Sequence, residues 1–100
     1  MRVIRYRTKP DRTEENERLI QGVFRELAER RPDGVRYLVL KLADGGFVHI
    51  VAAETDAGTG GLTSLEAFRA FQAGVSERCA EPPQAAAATV VGAYRVPGLE

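Results

Sequence analysis

Residues 35–54 read VRYLVLKLADGGFVHIVAAE, and this stretch decides the fold. Two β-rich runs, VRYLVLKL and FVHIVAAE, flank Ala43-Asp44-Gly45-Gly46. Asp44, Gly45 and Gly46 supply the positive φ angles that tight hairpin turns need, so the runs pair antiparallel. On the first run Leu38, Leu40 and Leu42 fall on one face, and Val35, Tyr37 and Val39 on the other. On the second run Val48, Ile50 and Ala52 oppose Phe47, His49, Val51 and Ala53. Neither run shows the apolar-in, polar-out alternation of a sheet with one wet face. Both faces of the hairpin are therefore covered, and the chain must supply two covers or borrow one.

Upstream, residues 3–8 (VIRYRT) form a strand that Pro10 closes. Asp11, three residues before Glu14, is placed as an N-cap, with Thr13 as a second candidate. Leu19, Ile20, Val23, Phe24, Leu27 and Ala28 then recur at helical spacing. Gly22 lies inside this helix, where close approach to another backbone would explain it. Pro32-Asp33-Gly34 ends the helix and turns the chain into the hairpin.

Downstream, residues 55–64 (TDAGTGGLTS) form a polar, Gly-rich connector without the spacing of a phosphate-binding loop. Thr63 and Glu66 make a capping box, with Leu62 as its hydrophobic staple. The second helix carries Phe68, Phe71, Val75 and Cys79 on one side, and Pro82-Pro83 stops it. Residues 85–88, all alanine, stay ambiguous, and residues 89–96 (TVVGAYRV) read as the last strand.

The order is strand, helix, strand, strand, helix, strand. Right-handed crossovers then place both helices on one face of a four-stranded antiparallel sheet, the ferredoxin-like α+β arrangement. The uncovered face is too apolar to stay wet, and a second copy packed on it is the economical cover. The 100 residues make one domain, expected over 1–98, with Leu99-Glu100 read as an expression scar.

Basic and acidic residues balance at 14 each, which argues against nucleic acid or an anionic membrane as partner. The single cysteine, Cys79, cannot form an internal disulfide, and no spacing suggests a metal site. Without a signal peptide or an apolar run of spanning length, a cytoplasmic protein is expected.

The element order, the two-sided apolar sheet and the segments FVHIVAAE, LEAFRAFQAGVSERCAEPP and VVGAYR resemble the dimeric α+β barrel superfamily. Within it, they resemble small bacterial proteins related to the antibiotic biosynthesis monooxygenase domain. The resemblance covers about residues 3–96. It implies a homodimer with a ligand pocket between each sheet and its own helices. It also implies kinship with oxygenases of aromatic substrates that use no cofactor, and none is expected here. The haem-degrading branch uses a His on the second helix, with a Trp and an Asn in the pocket. This chain has no Trp, no His on that helix, and its only Asn is Asn16 in the first helix. Haem binding is not expected.

His49, the sole histidine, lies mid-strand among apolar neighbours. It reads either as a neutral general base or as a buried, hydrogen-bonded core residue. Tyr6, Tyr37 and Tyr94 are strand residues whose hydroxyls could orient a small hydrophobic ligand. Phe47 and Val51 share the face of His49 and would wall the site, with Phe68 contributed from the second helix. Cys79 reads as a core residue late in a helix, where the dipole raises its thiol pKa. Two functions follow. One is a metal-free, monooxygenase-like enzyme acting on a small hydrophobic or aromatic substrate; the other is a non-catalytic dimer with a ligand-binding or regulatory role.

Overall fold

The computed structural model describes residues 1–53 and 61–97. Strand β1 (Arg2–Thr8) leads through a 3-10 turn (Pro10–Arg12) into helix α1 (Thr13–Arg30). Strands β2 (Val35–Lys41) and β3 (Gly46–Ala53) follow, then helices α2 (Glu66–Ala73) and α3 (Val75–Arg78), and strand β4 (Cys79–Ala87). All pairings are antiparallel and the strand order is β2-β3-β1-β4. This is the ferredoxin-like α+β arrangement.

The hairpin turn is tighter than the composition of residues 43–46 implies. Only Gly45 takes a positive φ, 85°. The Gly45 amide donates to Leu42 O at 3.2 Å, the Leu42 amide donates to Gly46 O at 2.8 Å, and Asp44 Oδ1 accepts from the Gly46 amide at 2.9 Å. That is a turn closed by a left-handed glycine, the geometry that keeps two twisted strands in register.

Register then fixes the faces. Ile4 opposes His49, Tyr6 opposes Phe47, and Tyr37 opposes Val51. These side chains lie under the helices, where Tyr6, Phe47, Phe68, Phe71, Ile20 and Val23 form the core. Val3, Arg5, Leu38, Leu40, Val48 and Ile50 share the opposite face, and Leu38 and Leu40 are exposed on it. Val39, by contrast, belongs to the helix side, opposite His49.

Several expectations need correction. The last strand is Cys79–Ala87, so Pro82-Pro83 and most of the alanine run lie inside it, while residues 89–96 lie beyond the sheet. The prolines are tolerated because β4 is an edge strand, and because the register shifts between Arg5↔Gln84 and Arg7↔Glu81, leaving one extra β4 residue in a bulge. Cys79 accordingly opens a strand, and burial, not a helix end, raises its thiol pKa.

Neither the Asp11 cap nor the Thr63/Glu66 capping box forms. The N-cap of α1 is Arg12, with Asp11 in the preceding 3-10 turn, and the N-cap of α2 is Leu65. The start of α2 is instead capped from across the interface, where Glu26 Oε1 on α1 accepts the Ala67 amide at 2.8 Å. Of the expected connector over 55–64, residues 61–63 form a helical turn, and 55–60 lie outside the described residues, as does Leu99-Glu100.

Gly22 approaches no foreign backbone. A Cβ there would meet only an Arg25 guanidinium nitrogen at 3.7 Å, an ordinary contact. Gly22→Ala should therefore raise the unfolding free energy by about 1 kcal/mol, measured by urea titration. A decrease would show that the helix needs the glycine after all.

Candidate functional site

Beneath the helices, polar side chains from five elements meet in a buried cluster. His49 on β3 is 4% exposed, Asn16 on α1 0%, and Arg78 on α3 3%. Two tyrosines hold the imidazole, Tyr6 Oη at 2.8 Å from Nε2 and Tyr37 Oη at 2.6 Å from Nδ1. Asn16 Nδ2 donates to Tyr6 Oη at 2.9 Å, and Arg78 Nε donates to Asn16 Oδ1 at 2.9 Å. A terminal nitrogen of Arg78 donates to the Phe71 carbonyl at 2.6 Å, and the guanidinium lies 5.2 Å from the Phe71 ring centroid. Among the described residues no buried side-chain polar atom lacks a partner. That satisfaction is what lets so polar a chain exist in a core.

The backbone brings these groups together in a simple way. Strand alternation and the Ile4↔His49 register place Tyr6 and Tyr37 on the His49 face, one from each neighbouring strand. Tyr37 is held flat by Phe24 of α1, stacked at 5.1 Å between centroids, and Phe68 meets it edge-on at 6.1 Å. Phe47 stacks on Tyr6 at 5.5 Å. Such contacts leave the tyrosine rings little freedom to swing their hydroxyls away.

A cavity of about 110 Å³ adjoins this network. Ile4, Val51, Phe68, Phe71 and Val75 give its apolar walls, and Tyr6, Tyr37 and His49 give its polar side. Gln72 and Pro83 also line it, and since both are exposed they mark its mouth. An apolar cavity of about 150 Å³ holds one benzene, so this smaller one, open at its mouth, takes no more than a single ring.

Burial dominates the electrostatics. It lowers the His49 pKa to about 4, so the ring is neutral near pH 7. It pushes both tyrosine hydroxyls up, against a smaller opposing effect of the Asn16 hydrogen bond on Tyr6. All three groups are therefore uncharged at neutral pH.

Of the residues singled out from sequence, His49, Tyr6, Tyr37, Val51 and Phe68 converge on the cavity. Phe47 sits behind Tyr6, outside the lining. Tyr94 lies on the segment beyond β4, 80% exposed with the Arg95 guanidinium over its ring, away from the cluster. Asn16 and Arg78 were not anticipated. Their signal was there: Asn16 begins the stripe Asn16, Ile20, Val23, and Arg78 continues Phe71, Val75 at helical spacing. A polar residue on a buried stripe needs a partner, and each of these has found one.

Among the described residues, no helix is long and apolar enough to cross a membrane, and no three His, Cys, Asp or Glu side chains converge to hold a metal ion.

No family model and no curated protein sequence matches the chain. Solved structures do. A candidate antibiotic biosynthesis monooxygenase from Bacteroides thetaiotaomicron superposes with a TM-score of 0.77 at 18% identity, covering 99% of this chain and 91% of that one. Rv0793 from Mycobacterium tuberculosis gives 0.74 at 19% identity, covering 93% and 96%. A protein named antibiotic biosynthesis monooxygenase gives 0.72 at 14% identity, covering 91% and 97%. At these identities the likeness establishes the fold, which is that of antibiotic biosynthesis monooxygenase-like proteins.

Proposed function

We propose that the chain works as a homodimer whose cavity binds a small hydrophobic, aromatic ligand and oxidises it as a monooxygenase-like enzyme without a cofactor. The carrying observation is a one-ring cavity with apolar walls and a single polar side made by Tyr37, His49 and Tyr6. Apolar walls select the ring, and a few fixed polar groups orient its oxygen. The names of the structures sharing the fold supply the reaction class. For a phenol the chemistry closes without an external reductant. One ring C–H becomes a quinone C=O, the second oxygen atom of O₂ leaves as water, and all four electrons come from the ring. His49 has both nitrogens occupied by tyrosines, so its influence reaches a ligand through Tyr37.

Oxygen uptake with phenol and hydroquinone as probes tests the reading. Tyr37→Phe removes the hydroxyl that would hold the ligand oxygen, and turnover should fall by about 100-fold. Uptake no faster than in buffer, for monocyclic and larger phenols alike, would sink the enzymatic reading.

A non-catalytic ligand-binding dimer is the second reading. It is favoured by the two tyrosine partners of the imidazole, which leave neither His49 nitrogen free to take a proton from a substrate. Phenol binding without oxygen consumption would establish it.

A further inference from the structure

We infer that the buried hydrogen bonds run in one direction, from Arg78 to Tyr37, and make Tyr37 a donor aimed into the cavity, so that the ligand is a single ring presenting a hydrogen-bond acceptor. This rests on the ligand-binding reading of that cavity.

The direction follows from what each group can do. Arginine only donates, so the Asn16 atom 2.9 Å from Arg78 Nε is the amide oxygen. The Asn16 nitrogen is then turned to Tyr6, and it can only donate, at 2.9 Å. With its oxygen accepting from Asn16, Tyr6 must spend its one proton elsewhere, and His49 Nε2 lies 2.8 Å away. Nε2 is thereby the unprotonated nitrogen. Burial keeps the ring neutral, so its single proton sits on Nδ1 and is donated to Tyr37 Oη at 2.6 Å. The Tyr37 proton is what remains, and Tyr37 lines the cavity.

The opposite tautomer would place Nε2–H and the Asn16 N–H on one Tyr6 oxygen and strand the Tyr6 proton in the core. A stranded buried donor makes that arrangement roughly 10-fold or more less populated. Arg78 is thus a positioning residue: it never touches a ligand, yet it fixes which end of Asn16 faces Tyr6. The Phe71 carbonyl holds the guanidinium in place at 2.6 Å.

Because the chain has one histidine, long-range proton–nitrogen correlation NMR reads its tautomer without overlap. Near neutral pH the wild type should show the proton on Nδ1, the tautomer that free histidine disfavours. Protonated Nε2 would overturn the inference. Asn16→Asp supplies the converse test. A carboxylate accepts from both Arg78 and Tyr6, so the Tyr6 oxygen must take a proton from Nε2, and Tyr37 must donate to Nδ1. The variant should show the Nε2–H tautomer; an unchanged Nδ1–H tautomer would overturn the inference. The new carboxylate would be ion-paired with Arg78, which favours folding, and the wild-type spectrum decides the matter even if the variant does not fold.

Pyridine and pyrrole serve as ligands of the cavity's size, one an acceptor and the other a donor. Followed by chemical-shift perturbation, the wild type should bind pyridine about 10-fold more tightly than pyrrole, and Asn16→Asp should reverse the order. A wild-type preference for pyrrole would overturn the inference. If neither ring binds while the wild-type proton is found on Nδ1, the ligand-binding reading fails, the acceptor-ligand part of the inference falls with it, and the direction of the hydrogen bonds stands.

Discussion

Leu40→Asp should abolish the dimer and leave a chain that is largely unfolded at micromolar concentration. Leu40 is 44% exposed on the sheet face turned away from the helices, beside Val48 and close to the equally exposed Leu38 and the half-buried Ile50. A lone protomer gains nothing by holding these side chains in water, whereas a second copy packed on them buries both faces at once. Two-fold symmetry would put two unpaired carboxylates into that interface. At about 3–5 kcal/mol for each uncompensated buried charge, dissociation should be favoured by at least about 10⁴-fold. Light scattering coupled to gel filtration should give twice the chain mass for the wild type and lose that species in the variant. A wild-type protein of single-chain mass, or a Leu40→Asp protein with unchanged mass and Tm, would refute the dimer.

Acidification should destabilise the protein through His49 by about 3 kcal/mol between pH 6.5 and 4. In the unfolded chain the imidazole titrates at its ordinary value of 6.5, and in the fold burial lowers this to about 4. Between those values the unfolded state binds more protons than the native state, so stability rises with pH through the window and is lost as pH falls. The magnitude is the difference of the two values at about 1.4 kcal/mol per pH unit. His49→Gln removes the titrating group. Urea titrations of both proteins across this range should show wild-type stability falling more steeply than that of the variant, by about 3 kcal/mol in all. Parallel profiles would mean that water or a rearrangement lets the ring ionise in place.

The hairpin was legible in the sequence because three signals agreed: β-branched and aromatic runs, a turn able to supply a positive φ, and apolar residues on both faces. From it followed the element order and the need for covers. The fourth strand was not legible, because its features were each misleading alone. Pro82-Pro83 reads as a stop, the alanines read as helix, and residues 89–96 have the β propensity that residues 79–87 lack. Edge position and the bulge decide the outcome, and both are properties of the assembled sheet. The same division runs through the site. His49 stood out by its chemistry, and alternation put Tyr6 and Tyr37 near it. Asn16 and Arg78 lie 62 positions apart and become partners only when α1 and α3 meet over the sheet.

The two prolines in β4 bear also on how this protein can fail. A sheet edge with free amides is a template on which another chain can lengthen the sheet, and a body with two such edges can string into filaments. Pro82 and Pro83 offer no amide protons, and the bulge beside them twists the edge out of line, so pairing along β4 is interrupted midway. That leaves β2 as the continuous edge of the sheet. A single chain with one adhesive edge can join another in a pair, but single chains of this kind cannot string into filaments. Replacing both prolines would restore a second adhesive edge, and with it a route to fibrous aggregates.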